Sequence, residues 1–293
     1  MSGSALLYAL IFLMVAFWSG NYIAGKIALH EFSPMLLAGL RIGFAGVIMA
    51  PLYAWERASK PPREHARGDV VRLLLLGLLG VTLNQVFFVV GLSRTSVAHA
   101  AILIGLTPIQ VLAIAAVRGQ ERITARKATG MAIALAGVAI LKSFEPAGGT
   151  GATWTGDIAV LMAGLCFALF TVFGKEATER YSTITMNTYA YVGGAIALLP
   201  WTLWEAARQP PADVSAGAWL AAIYMALFPS VIAYLIYYHA LAHMTATRVS
   251  AFSYLQPVFA SILSVAILGE SLGAPVIAGG AVILGGVYLA ERG

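Results

Sequence analysis

Residues 71–91 read VRLLLLGLLGVTLNQVFFVVG. Past Arg72 the stretch carries no charge, and its polar side chains are Thr82, Asn84 and Gln85. As a helix it spans roughly 30 Å, the thickness of a bilayer's hydrocarbon core. Within lipid every backbone N–H and C=O must be bonded inside the protein, so only helices and closed barrels cross. A barrel strand alternates apolar and polar residues; this run does not. The stretch reads as a membrane-spanning helix.

Nine further runs read the same way. The predicted spans are Ala5–Gly25, Pro34–Ala54, Val71–Gly91, Val97–Val117, Lys127–Leu141, Gly156–Gly174, Ile184–Trp204, Ala218–Ala240, Thr247–Leu268 and Leu272–Ala290. Breakers fall between them at Phe32-Ser33-Pro34, Pro61-Pro62, Pro146 to Thr150 and Pro210-Pro211. The 293 residues are 60% hydrophobic and 11% charged, with mean hydropathy +0.83. Soluble domains carry about 25% charged residues. The composition excludes an ordinary soluble enzyme, a nucleic-acid binder and a disordered chain. Met1 to Ala5 has no charged n-region and runs on into a full span, so no cleavable signal is expected. The single cysteine, Cys166, makes neither an internal disulfide nor a Cys-rich metal site, and no metal or cofactor is expected.

Ten spans put both termini on one side. That side collects Arg57, Lys60, Arg63, Arg67, Arg72, Arg118, Arg122, Arg126, Lys127, Lys175, Arg180, Arg248 and Arg292, and the other side holds Lys26, Arg94, Lys142 and Arg208. The count is 13 against 4, with Arg41 left inside the second span. Basic loops mark the cytoplasm, which places both termini there and makes the net charge of +5 a matter of orientation.

The chain also matches itself at a constant offset of 149 residues. Gly25-Lys26 falls on Gly174-Lys175, Ser33 on Ser182, and Pro51 on Pro200. Trp55-Glu56 falls on Trp204-Glu205, Pro108 on Pro257, Glu121 on Glu270, and Gly130/Gly137 on Gly279/Gly286. Rare residue types in register across each half mark a duplication. The unit holds five spans, an odd number, so the second copy enters the membrane from the opposite face. The predicted fold is an all-α polytopic membrane protein of ten helices in two inverted five-helix repeats, 1–145 and 146–293. Inverted repeats are the architecture of secondary transporters, with substrate near the midplane between the halves.

These motifs resemble the drug/metabolite transporter superfamily, EamA-type branch. The matching segments are Phe17-Trp18-Ser19-Gly20-Asn21-Tyr22, Pro34 through Arg41, Gly91-Leu92 to Pro108, and Gly119-Gln120-Glu121-Arg122. In the second half they are Ala240-Leu241 to Pro257 and Gly269-Glu270. The resemblance implies an integral protein of a bacterial-type inner (plasma) membrane that exports small metabolites, amino acids among them. Within the branch the chain is most similar to the aromatic amino acid exporters. One departure matters. The small four-helix members use a glutamate in the first helix for cationic drugs, and span 1 here has no acidic residue.

Polar groups inside spans are functional candidates by default. Trp18 and Asn21 share a face of span 1. Asn84, Phe87, Phe88 and Gly91 form one face of span 3, with Gln85 beside it. Tyr234, Tyr237, Tyr238 and Leu241 repeat that spacing in span 8. Ser250, Ser253 and Tyr254 share a face of span 9, and span 6 offers Phe167 and Phe170. The candidate substrate-binding set is Trp18, Asn21, Asn84, Phe88, His99, Phe170, Tyr234, Tyr237, Tyr238, Ser253 and Tyr254. Aromatic walls with neutral hydrogen-bonding groups suit an aromatic zwitterion. Tyr8, Trp55, Trp201, Trp204 and Trp219 read instead as an interfacial belt. Arg41 either snorkels, braces a gate or holds a substrate carboxylate. Lys26 with Glu270 and Lys175 with Glu121 read either as latches closing opposite faces or as helix-end caps. No Asp or Glu lies deep within a span, which favours facilitated diffusion or exchange over proton coupling. The expected partners are a small-molecule substrate and the lipid bilayer, with no nucleic acid. A monomer is compatible with the sequence, and the glycine stripes of spans 5 and 10 leave dimerisation open. The alternatives are a proton-coupled multidrug or metabolite efflux carrier, an intramembrane enzyme or a receptor. The spans lack paired aspartates and HExxH, and no spacing marks a nucleophile with its base.

Overall fold

The structure, a computed structural model, describes residues 3–59, 67–95, 100, 103–143, 153–209, 213–256, 258–259, 263 and 274–293. Among these there is no strand. The helices are α1 (Gly3–Leu29), α2 (Pro34–Ser59), α3 (Arg67–Gly77 and Asn84–Arg94), α4 (Thr107–Val117) and α5 (Ala125–Ser143), then α6 (Trp154–Ala177), α7 (Thr183–Arg208), α8 (Ala216–Met225 and Ala233–His243), α9 (Ala246–Ala251) and α10 (Ala274–Glu291). Five spans, those of α1, α2, α3, α6 and α8, are each long and apolar enough to cross a membrane. The protein is an all-helical, polytopic membrane protein.

Hydroxyl caps start many of these helices. Ser33, Ser182, Ser215, Thr124, Thr153 and Thr245 each accept a backbone N–H from the first turn of α2, α7, α8, α5, α6 and α9. Ser33 and Ser182 stand at repeat-equivalent positions.

Four expected spans differ in form. α3 and α8 are each interrupted by a π turn, over Leu78–Leu83 and Ala226–Ile232. The two turns fall on one another at the repeat offset of 149. In α8 the cause is visible. Pro229 has no N–H to give Met225, and the Ser230 hydroxyl donates to Met225 O at 2.8 Å instead. Gly80 takes the position of Pro229 in α3. The predicted continuous helix Thr247–Leu268 is broken as well. After Ala251 the chain tightens into a 3-10 turn, Phe252–Leu255, just before Pro257. In its counterpart, Ala100, Leu103 and Ile104 are helical, and a turn at Gly105-Leu106 separates them from α4, which runs from Thr107. In both cases the proline two residues on restricts the helix. Residues 145–146, where the halves are expected to divide, lie outside the described residues.

Helix pairing follows the duplication. α5 packs on α10, α2 on α7, α4 on α9, α3 on α6 and α1 on α8. Exchanging the halves maps α5–α10, α2–α7 and α4–α9 onto themselves and carries α3–α6 into α8–α1. Single bonds obey the same exchange. Ser33 Oγ donates to Glu205 at 2.7 Å, and Ser182 Oγ to Glu56 at 2.6 Å. Lys26 Nζ donates to Leu92 O at 2.7 Å, and Lys175 Nζ to Leu241 O at 2.5 Å. The two halves are therefore related by an approximate two-fold through the centre of the bundle.

α5 and α10 touch backbone to backbone. A Cβ at Gly130 would lie 2.8 Å from Gly286 O, and one at Gly137 would lie 3.0 Å from Gly279 O. Small residues permit this approach. Trp55, Trp154, Trp201 and Trp204 are exposed near helix ends, as a belt requires. Tyr8 and Trp219 depart from the expected belt: both are half-buried, against Phe252 and Phe32. Each has an aromatic neighbour inside the protein to pack on.

Candidate functional site

A cavity of about 80 Å3 lies where the two halves meet. A water needs roughly 10–15 Å3 by this measure, so the space holds several waters, and the walls must part to admit a metabolite. Its lining is arranged on the two-fold. Trp18 and Phe167, Gln85 and Tyr234, Ile104 and Ser253, and Thr107 and Gln256 all line it. Each of these pairs is separated by the repeat offset of 149. Asn21, Tyr22, Arg41, Asn84, Phe88 and Gly164 complete the wall without their repeat mates.

The aromatic wall is held by named bonds. Trp18 Nε1 donates to Pro229 O at 3.1 Å, inside the π turn of α8. Tyr234 OH donates to Gly80 O at 2.8 Å, inside the π turn of α3. Thus each interrupted helix offers its irregular turn as acceptor to a ring from the other half, at equivalent positions. The Trp18 ring meets Phe167, Tyr234 and Tyr237 with centroids 5.5–6.1 Å away. Such tilted and edge-on contacts are the favoured aromatic geometry.

The polar wall is only part-satisfied. Asn84 Nδ2 donates to Ala163 O at 2.9 Å, and Gln85 Nε2 to Tyr191 OH at 2.8 Å. Arg41 Nε donates to Ser230 Oγ at 2.8 Å. Three buried oxygens on the wall, Asn21 Oδ1, Gln85 Oε1 and Thr107 Oγ1, have no partner among the described residues. Buried polar atoms are normally bonded, so these await water or a ligand.

Of the expected set, Trp18, Asn21, Asn84, Phe88, Tyr234 and Ser253 line the cavity, and Arg41 joins them. Phe170, Tyr237, Tyr238 and Tyr254 are buried and do not line it. One face of a packed helix turns partly toward the cavity and partly into the protein. Phe170 stacks on Tyr237 at 6.3 Å, and Tyr237 OH lies 2.5 Å from Thr171 Oγ1. They back the cavity rather than wall it. Ser250 bonds back to Thr247 O at 2.9 Å. His99 and Glu270 lie outside the described residues. Tyr22, Thr107, Gly164 and Gln256 were not among the expected residues. A sign of two of them was present: Thr107 and Gln256 immediately precede the aligned prolines Pro108 and Pro257.

Of the two readings of Lys175 and Glu121, this structure presents the helix-end cap. Glu121 pairs with Lys127 at 2.7 Å and accepts Thr247 N at 3.0 Å. Lys175 instead caps carbonyls at the C-terminal end of α8, and Lys26 does the same for α3 through Leu92 O and Thr95 O. Helix C-termini leave carbonyls free and carry partial negative charge, which draws an ammonium there.

Helix ends collect at two poles. Arg72, Arg118 and Gln120 converge on Glu176, joining the start of α3 and the ends of α4 and α6. At the opposite ends of α3 and α6, Thr95 Oγ1 donates to Asp157 at 2.6 Å. Glu31, in the α1–α2 turn, accepts Ser215 N at 2.6 Å and Ser215 Oγ at 2.5 Å. Those bonds hold the Glu31 carboxyl below its ordinary range, the hydroxyl first and the backbone N–H second. Its contribution is therefore present above the ordinary carboxylate range and lost only as pH falls through the lowered value. Thermal unfolding midpoints of wild type and Glu31→Gln should accordingly differ by a constant amount from about pH 6 to 8, and converge on acidification.

A bundle of apolar helices around a cavity on the axis between two equivalent halves defines a membrane carrier. Residues 5–143 and 154–291 each match the EamA-like transporter family. The chain belongs to the EamA-like transporter family, and it is a transporter rather than an enzyme. It is 30% identical over 291 residues to an uncharacterized transporter of Archaeoglobus fulgidus, covering 96% of each chain. It is 28% identical to a probable terminal-alkyne amino-acid exporter of Streptantibioticus cattleyicolor, covering 99% of this chain and 94% of that one. A solved crystal structure with 19% identity superposes with a TM-score of 0.79 over 98% of this chain and 97% of that one, a likeness of fold.

Proposed function

We propose that the protein exports small metabolites, amino acids including aromatic ones, by alternating access between two states related by exchange of its halves. The cavity lined by four repeat-mate pairs carries this reading. A site on the axis is presented equally to either side when the halves swap conformations. The protein sits in a bacterial-type inner membrane with the two repeats, 1–145 and 146–293, inserted in opposite senses, and the one-sided distribution of basic residues supports both termini in the cytoplasm. Among the described residues no Asp or Glu lines the cavity, which supports uncoupled facilitated flux or exchange. The terminal-alkyne amino-acid exporter among the relatives supports an amino-acid substrate.

The test is counterflow with purified protein in liposomes, using a panel of amino acids, cationic drugs and sugars. Saturable amino-acid counterflow without an imposed pH gradient is expected. Flux that vanishes without a pH gradient sinks the uncoupled reading, and flux of cationic drugs alone sinks the amino-acid reading.

The exchange has a residue-level consequence. Tyr22 lines the cavity, and its repeat mate Thr171 does not. In the exchanged state Thr171 opens to the cavity together with Phe170 and Tyr237, while Tyr22, Asn21 and Phe88 close. Labelling of Tyr22→Cys and Thr171→Cys, each in a Cys166→Ala background, is expected to move in opposite directions when substrate saturates one side. Parallel movement would count against the exchange.

A further inference from the structure

We infer that Arg41 is the receptor for a substrate carboxylate, and that the cavity selects small molecules carrying a carboxylate together with an N–H donor. The inference rests on the transporter reading above and adds the chemistry of what is carried.

Arg41 is 4% exposed and lines the cavity at roughly 10 Å along α2 from Pro34, by the helical rise. A guanidinium stays charged in proteins, and it presents five donors in a planar fork. Only its Nε is bonded among the described residues, to Ser230 Oγ. Among the described residues no carboxylate stands on the cavity wall. A buried charge without a counter-charge is costly, and structures keep one mainly where a ligand completes it.

The scaffold does not require this charge. The repeat mate of Arg41 is Ala190, and the mate of Ser230 is Val81. The same place in the other half is thus filled by small and apolar side chains. The two halves agree in character at Trp18/Phe167, both aromatic, and at Thr107/Gln256, both polar, and diverge where the charge lies. Ser230 fixes the fork by taking Nε, which leaves the outer nitrogens for a bidentate acceptor.

The rest of the wall is complementary to a donor. Asn21 Oδ1, Gln85 Oε1 and Thr107 Oγ1 are buried oxygens able to accept, without partners among the described residues. A lone cation such as a drug amine would meet these oxygens but would also meet Arg41. A bare carboxylate would satisfy Arg41 and leave the oxygens empty. A zwitterion satisfies both. Its apolar part then rests against Trp18, Phe167 and Phe88.

The experiment uses the full chain in liposomes and three compounds of one shape: L-phenylalanine, 3-phenylpropionate, which lacks the amine, and phenethylamine, which lacks the carboxylate. Each is measured as a competitor of amino-acid counterflow and as a stabiliser of purified protein against heat. Phenylalanine is expected to act best, 3-phenylpropionate next, and phenethylamine at least about 30-fold more weakly, since it leaves the buried cation unpaired. Arg41→Gln should bring phenylalanine down to the level of phenethylamine, and Arg41→Lys should restore part of the difference. The wild-type comparison decides even where Arg41→Gln fails to fold. Phenethylamine acting as strongly as phenylalanine overturns the inference, as does an Arg41→Gln protein that folds and still prefers the carboxylates. A protein that moves only carboxylate-free amines overturns the carboxylate receptor while leaving it a transporter. A protein that moves nothing overturns both.

Discussion

Trp18→Ala is expected to abolish counterflow and to lower thermal stability sharply. The ring stands at the centre of the aromatic wall, in contact with Phe167, Tyr234 and Tyr237, and its Nε1 donates to Pro229 O at 3.1 Å. Deleting a buried tryptophan costs about 3–5 kcal/mol, because its neighbours cannot close the void. The void would lie on the axis itself and enlarge the cavity toward Phe167. Trp18→Phe separates the two contributions. It keeps most of the packing and loses one hydrogen bond, leaving Pro229 O unpaired at a cost of about 1–3 kcal/mol. Flux through Trp18→Phe should therefore be reduced but measurable. Full activity in Trp18→Ala, at wild-type expression, would remove Trp18 from the site.

Gly286→Leu is expected to destabilise the protein without touching the cavity. A Cβ at Gly286 would stand 2.7 Å from Gly130 O and closer still to Ala134 N. Both obstacles are backbone, so no rotamer relieves the clash, and α5 and α10 must separate. Overpacking costs about 1–3 kcal/mol when side chains can adjust, and more is expected here. Gly285→Leu is the control, since a Cβ there meets nothing within 4 Å. Size-exclusion profiles and unfolding midpoints should distinguish them, with Gly285→Leu close to wild type. Equal behaviour of the two variants would refute the close contact of α5 and α10.

Much of this fold was legible in the chain. Long apolar runs announce helices in lipid because no other open backbone arrangement satisfies its polar groups there. The offset of 149 anticipated the pairing, since duplicated units with matched Ser33/Ser182 and Glu56/Glu205 fold alike and bond across the same axis. The site was legible in part. Trp18, Asn21, Asn84 and Tyr234 declare themselves as polar or amphipathic groups in apolar runs. Phe170 and Tyr237 were read as lining because helical spacing fixes a face but not how far that face rotates toward the cavity. The interruptions were not legible. Pro229 is visible in the sequence, but a proline kinks, bulges or ends a helix according to its neighbours, and Gly80 gives no sign at all. Helix-end capping is one of the readings the sequence offers for Lys26 and Lys175, but not which carbonyls they cap, because these belong to other helices, far along the chain.

A π turn holds one residue more than the helix needs. Asn84, Gln85 and Phe88 follow the turn in α3, as Tyr234 follows the one in α8. Removing one residue between Leu78 and Leu83 would therefore let α3 run on as a regular helix, with Asn84 and Phe88 still on their faces. What would be lost is the widened turn itself, whose Gly80 O accepts the Tyr234 hydroxyl. Each turn thus absorbs an extra residue without turning the wall and keeps a carbonyl free for a ring of the other half, and the device has been copied with the repeat.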